Sequence, residues 1–160
     1  MALVDFFLKL DGIPGDSRDA HHKDEIDLES FSWGESNSGT RGGGGGGGAG
    51  KVQLEDLNVV MKLNKASPLL LKACASGQHI KEAVLTARRA VKQQLEFLVI
   101  KLSDVLVSSY ETSGGVSSEP TDHVAFNFGK IEFEFRAQKP DGALDTPVHA
   151  GWDLKTGKAV

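Results

Sequence analysis

The sequence predicts a mainly β protein: a β-barrel of two antiparallel sheets with one short α-helix packed against it. Three observations carry this expectation. Segments of alternating apolar and polar residues recur along the chain, with roughly seven strand candidates to a single helix. Two of those segments change inward phase partway along, as strands do when a sheet folds over on itself. At 160 residues and 39% hydrophobic content, the chain has the size and apolar share of one compact domain, 1–160, interrupted by a flexible glycine-rich loop at 39–50.

The first strand is VDFFLKL, in which Val4, Phe6, Leu8 and Leu10 alternate with Asp5, Phe7 and Lys9 and form the inward set. DGIPGDSRDAHHKDE follows as an exposed, charged loop that bends at Gly12-Ile13-Pro14-Gly15. In IDLESFSWG the apolar set passes from Ile26 and Leu28 to Phe31 and Trp33, a slip near Glu29-Ser30 that marks a bulge or a sharp twist. KVQLEDLNVVMKL fits helical spacing through Leu54, Leu57 and Met61. Leu57, Val59, Met61 and Leu63 also alternate cleanly, and valine favours strands, so the strand is preferred.

SPLLLKACASG predicts the helix, with Ser67 as N-cap, Pro68 at the first helical position, Leu70 and Cys74 four apart, and Gly77 as the stop. HIKEAVLTARRA continues as a strand. LEFLVIKLSDVLVSSY is apolar in both phases, with Leu98, Ile100 and Leu102 on one side and Phe97 and Val99 on the other. Such a strand is covered on two faces, one by the core and the other by the helix or a neighbouring subunit. HVAFNFGKIEFEFRAQ repeats the phase slip, from Val124, Phe126 and Phe128 to Ile131, Phe133 and Phe135 across Gly129. QKPDGALDTPVHAG is a turn-rich connection, and WDLKT closes the fold with Trp152 packed inward.

A formal net charge of -4 and a pI near 5.7 oppose a phosphate-neutralising surface, and Arg88-Arg89 is too small a basic cluster to reverse that. Nucleic acid is therefore not an expected partner. One cysteine, Cys74, excludes an intrachain disulfide and suits maturation in a reducing cytoplasm. MALVDFFLKL is interrupted by Asp5 and Lys9 and has neither a basic leader nor a small-residue cleavage site, so no cleavable signal is expected. No apolar stretch approaches the roughly 20 residues that cross a bilayer, so membrane insertion is not expected.

Residues 41–52, RGGGGGGGAGKV, contain GGGGAGK from Gly45 to Lys51, which matches a phosphate-binding loop up to its final hydroxyl. Val52 stands where Mg²⁺ needs an oxygen ligand, and seven consecutive glycines suit a mobile loop better than a preorganised cradle. Asp104, at the end of FLVIKLSD, is a weak match to the acidic strand end of such enzymes. His21 and His22 lie in the charged loop, while His79, His123 and His149 lack a second ligand at metal spacing. Cys74 and His79 are the one thiol and imidazole close in sequence, and a packed, inert thiol is the simpler reading. Glu132 and Glu134, with Lys130 and Arg136, form a mixed-charge strand face suited to solvent, cross-strand pairing or another subunit. No catalytic residue, metal site or cofactor emerges.

The order and spacing of VDFFLKLDGIPGDS, HHKDEIDLESFSWGESNSG, GGGGAGKV, NKASPLLLKACASGQHI, KLSDVLVSSY and NFGKIEFEFRAQKPDGALDTPVHAGWDLKTGKAV resemble the haemolysin-coregulated protein (Hcp) family, the inner-tube component of bacterial type VI secretion systems. The resemblance is nearly full length. It implies a non-enzymatic β-barrel, without cofactor, whose hexameric rings stack into a hollow tube that a contractile sheath drives toward a target cell. The implied partners are other copies of the chain, the sheath and baseplate, the valine-glycine repeat spike protein (VgrG) and secreted effectors held in the lumen. The implied location is the bacterial cytoplasm before firing and the exterior afterwards, by type VI secretion without a cleavable signal.

With Phe31 and Trp33 inward, Ser30 and Ser32 point outward and become candidate lumen residues that bind effectors. Gly43, Gly45, Gly47 and Lys51 are candidates for subunit or ring-to-ring contact. The chain departs from the family pattern at Ala90-Val91-Lys92, where many members carry a glycine pair, and SYETSGGVSSEPTDH is a variable loop. Two other readings compete: a small P-loop nucleotide-binding enzyme, and a monomeric ligand-binding barrel.

Overall fold

The chain is described by a computed structural model that covers residues 3–39, 51–90 and 94–160. Along it run β1 (Val4–Leu10), β2 (Ile26–Leu28), β3 (Ser30–Ser32), β4 (Glu35–Asn37), β5 (Val52–Leu54), β6 (Leu57–Lys62), α1 (Ser67–Ser76), β7 (Ile80–Arg89), β8 (Glu96–Gly115), β9 (Ser118–Asn127), β10 (Lys130–Phe135), β11 (Val148–Asp153) and β12 (Lys158–Ala159). The first sheet has the order β12-β11-β10-β8-β7-β1-β2, and the second runs β3-β6-β9-β8. A separate ribbon pairs β4 with β5.

The phase slips read from the sequence are places where the chain passes from one sheet to the other. β2 pairs with β1 in the first sheet, and β3, one residue later, pairs with β6 in the second. Between them, the Glu29 amide donates to Val60 O at 2.8 Å. β9 lies between β6 and β8 in the second sheet, and β10, after Phe128 and Gly129, lies between β8 and β11 in the first. A third crossing occurs inside β8, which pairs with β7 and β10 up to Val105 and with β9 from Leu106. Its inward set shifts there from Leu98, Ile100 and Leu102 to Val105 and Val107, at Asp104, whose φ is +55°. The expected barrel is thus two sheets packed on one core and joined along β8 and through β2–β3. Strands β10 to β12 continue the first sheet beyond that junction.

Leu8, Ile26, Leu57, Val59, Met61, Leu85, Ile100, Leu102, Val105 and Phe126 fill the interior with almost no solvent contact. Helix α1 contributes fully buried Leu70 and Ala73 to the same core and packs on β8. Gly77, at φ +66°, terminates it with its amide bonded back to Ala73 O, in a left-handed conformation that glycine adopts without penalty. The N-cap is Ala66, not Ser67. Ser67 is instead buried inside the first turn, and Asn64 Oδ1 accepts from the Ala66 amide at 2.9 Å.

Other expectations shift in detail. Leu63 lies past the end of β6 and is 52% exposed. The final hairpin begins earlier than WDLKT, at Val148, and Trp152 is half-buried against the core as expected. Phe7, placed outward by its phase, is buried.

Candidate interaction surfaces

The outer face of the second sheet carries Ser30 and Ser32, both exposed, while Phe31 between them turns inward with its ring edge on Phe6, 5.4 Å between centroids. The Trp33 indole donates to Glu55 O at 2.9 Å, which fixes the end of this segment. Directly paired residues share a face. Register therefore aligns Ser32, Asn58, Ala125 and Ser109 across four strands, and Ser30, Val60, His123 and Glu111 beside them. The first row has no charge and no long side chain. Asn58, Ala125 and Ser109 do not stand out in the sequence because only strand pairing brings them beside Ser32. Their one trace there is an outward phase between buried neighbours such as Leu57 and Val59, or Val124 and Phe126.

Lys51 is exposed and sits at the foot of the β4–β5 ribbon, where its carbonyl accepts from the Ser38 amide at 3.4 Å. Gly43, Gly45 and Gly47 lie outside the described residues. After Lys51 the chain enters strand β5, not a helix. Lys51 is therefore without the adjoining helix N-terminus on which a phosphate-binding loop relies.

The inner face of β10 and β11 continues the core face beyond the second sheet. Ile131, Phe133 and Phe135 stand opposite Leu102, Ile100 and Leu98 on one side and opposite Trp152, Ala150 and Val148 on the other. Ile131 is buried, but Phe133, Phe135 and Val148 are 39%, 44% and 71% exposed. The result is an apolar wing with no layer of the described residues over it.

On the outer face of the first sheet, the strap formed by residues 14–25 folds over β1. Arg88 is only 3% exposed. Its guanidinium donates to Asp5 Oδ2 at 2.9 Å and to Asp19 Oδ1 and Oδ2 at 2.9 and 2.8 Å, and lies 4.8 Å from the centre of the Phe7 ring. His22 stacks against Phe7 at 4.2 Å, with 6° between the planes. Its Nδ1 is 3.0 Å from both Glu25 carboxylate oxygens, and its Nε2 is 2.7 Å from Glu96 Oε1. The hydrogen bonds from Arg88 hold the Asp19 carboxyl well below the usual range, and Asp19 in turn raises the guanidinium. Burial, then the charges of Asp5, Asp19 and Asp16, pushes Asp27 up. Phe7, His22 and Arg88, read in the sequence as outward or surface residues, are one buried group.

Two further clusters brace the bends. Asp104 accepts from Lys155 Nζ at 2.7 Å and lies 3.1 Å from His79 Nε2, and these two partners, Lys155 first, lower its carboxyl. His79 is thus engaged with Asp104, and Cys74 is a half-buried free thiol on the core side of α1. Fully buried Asp122 accepts on Oδ2 from Ser67 Oγ at 2.5 Å and from Tyr110 Oη at 3.0 Å. Burial, then this carboxylate, raises the Tyr110 phenol. Among the described residues, no three His, Cys, Asp or Glu side chains are grouped to hold a metal, and no helix is long and apolar enough to cross a membrane.

The family described as "Type VI secretion system effector, Hcp" matches residues 7–135. Protein hcp1 of Pseudomonas aeruginosa is 44% identical over 155 residues, 95% of this chain and 96% of that protein. A solved structure of a type six secretion system protein superposes with a TM-score of 0.92 at 29% identity, covering 98% of this chain and 99% of its own. Hcp1 from Salmonella typhimurium superposes with a TM-score of 0.83 at 33% identity, covering 99% and 100%. With two packed sheets, one short helix and near-complete coverage by these relatives, the chain belongs to the Hcp family of type VI secretion system proteins.

Proposed function

We propose that this chain is a structural tube component of a type VI secretion system, without enzymatic activity. Its copies close head to tail into hexameric rings, and the rings stack into a hollow tube that the sheath and baseplate eject behind the VgrG spike. The observation that carries this reading is the apolar wing, Phe133, Phe135 and Val148, which extends the core face past the second sheet. A surface of this kind is an interface waiting for a partner. Its continuity with the core favours a second copy of the chain, which would complete the missing layer.

In this reading Ser30 and Ser32 face the lumen, with Asn58, Ala125 and Ser109 in register. Short neutral side chains hold a protein cargo without committing to it. The 39–50 loop, including Gly43, Gly45 and Gly47, together with Lys51, settles against a neighbouring subunit or the next ring. The protein waits in the bacterial cytoplasm and leaves with the tube.

Negative-stain imaging and sedimentation of the purified chain test the reading. Rings are expected, and a monodisperse monomer at high concentration would sink it. Saturable ATP binding that disappears in Lys51→Ala would favour the nucleotide-enzyme reading instead.

A further inference from the structure

We propose that the strap over β1 is a proton-dependent latch, closed by His22 as imidazolium and released when that proton leaves. The carboxylates of Glu25 and Glu96 grip the ring from both nitrogens, at 3.0 and 2.7 Å. A carboxylate only accepts, so both contacts are hydrogen bonds only when both nitrogens carry hydrogen. Neutral imidazole has one N–H, and the bare nitrogen of this buried ring would then face a carboxylate lone pair.

The surrounding charges are disposed around this bridge. Asp19 on the strap and Asp5 on β1 share the one guanidinium of Arg88 on β7, which lies 4.8 Å from the centre of the Phe7 ring. Asp27 on β2 stands opposite Phe7. Lys9 and Asp11 from β1 and its turn, with Lys81 and Glu82 from β7, line the shallow depression that His22 and Glu25 share.

The two anchors of the strap respond to pH differently. Arg88 keeps the Asp19 carboxyl ionised far into the acid range, so that anchor is constant near neutrality. The His22 bridge needs a hydrogen on each ring nitrogen to keep both of its bonds. Losing its proton frees the second half of the strap, 20–25, while Asp19 holds the first half. Phe7 loses the ring that covers it, and the strap loses its tie to Glu96 at the start of β8. The backbone bonds that would report this are Ser17 N to Glu25 O at 2.9 Å, Asp24 N to Ser17 O at 2.8 Å and Glu25 N to His22 O at 3.2 Å.

Amide hydrogen exchange on the full chain, corrected for intrinsic rates and followed from about pH 5.5 to about pH 8.5, tests the latch. Protection of Ser17, Asp24 and Glu25 should fall about tenfold across that interval, as expected for losing one charge-assisted hydrogen bond, while Leu85 and Ile100 keep theirs. His22→Gln should abolish the dependence. Glu96→Gln, whose amide serves a neutral ring as well as a charged one, should flatten it without opening the strap. A constant protection in the wild type, or the same fall in either variant, overturns the proposal. The bonds that these readouts follow all lie within one chain.

Discussion

The outer face of the first sheet and one row on the outer face of the second are built from opposite materials. On the first sheet, long charged side chains are tied down within the chain: Arg88 by Asp5 and Asp19, Lys101 near Glu82 at 3.9 Å, and His149 near Glu132 at 3.5 Å. On the second, Ser32, Asn58, Ala125 and Ser109 form a row with no charge to tie. A face that satisfies its own charges carries stability, and a row of short neutral groups presents small polar side chains such as Ser32 to another molecule. Substitutions on the first should therefore be felt in unfolding, and those on the second in binding.

The strongest way to break the contrast is to remove the buried cation. Arg88→Met leaves Asp5 and Asp19 without their partner, and should cost about 3 kcal/mol in urea unfolding at neutral pH. The pH dependence has a definite sign. Asp19 has a folded-state value below its unfolded one, so the clamp contributes fully above about pH 4 and is lost only as pH falls toward the folded value. The variant's deficit should shrink in acid, as the stranded carboxylates protonate. A deficit that is constant with pH would mean the guanidinium acts by packing alone.

Asp122→Ala should come next, at about 2 kcal/mol by the same measurement, because buried Ser67 Oγ and Tyr110 Oη lose their acceptor. Asp122→Asn keeps an acceptor oxygen and should recover about half of that. Phe133→Asp with Phe135→Asp should leave the monomer folded, since both aromatic side chains are partly solvated already, but abolish the proposed ring assembly in sedimentation velocity. Rings that survive this change would put the subunit contact elsewhere. The smallest effect on stability belongs to Ser32→Gln, which should leave melting and ring formation unchanged while reducing co-purified effector. Unchanged co-purification would remove the lumen role from this row.

The sheet crossings at Glu29 and Gly129 were legible because a phase slip in an alternating pattern has few other causes. The crossing at Asp104 was not: β8 is apolar in both phases, so no alternation existed to slip. The strap cluster was hidden for a different reason. Phe7 reads as outward from its own strand, and only the fold of residues 14–25 back over β1 decides that this outward side is covered. His22 and Arg88 look like surface residues because each has a carboxylate partner far away in sequence, Glu96 for His22 and Asp5 for Arg88. Ser67 carries every mark of an N-cap, yet its hydroxyl is taken by Asp122, and Asn64 satisfies the Ala66 amide instead. Of the candidate site, the outward direction of Ser30 and Ser32 followed from the inward pull of Phe31, whereas the neighbours that make them a surface required the register.

β8 bonds to β7 and β10 through its first half and to β9 through its second. Neither sheet owns a complete set of strands without it. The molecule consequently has no stable half: peeling away one layer strips the other of its middle or its edge, and partial opening must stay confined to appendages such as the strap. In the proposed tube, that all-or-none behaviour would keep each wall unit intact until its whole domain comes apart.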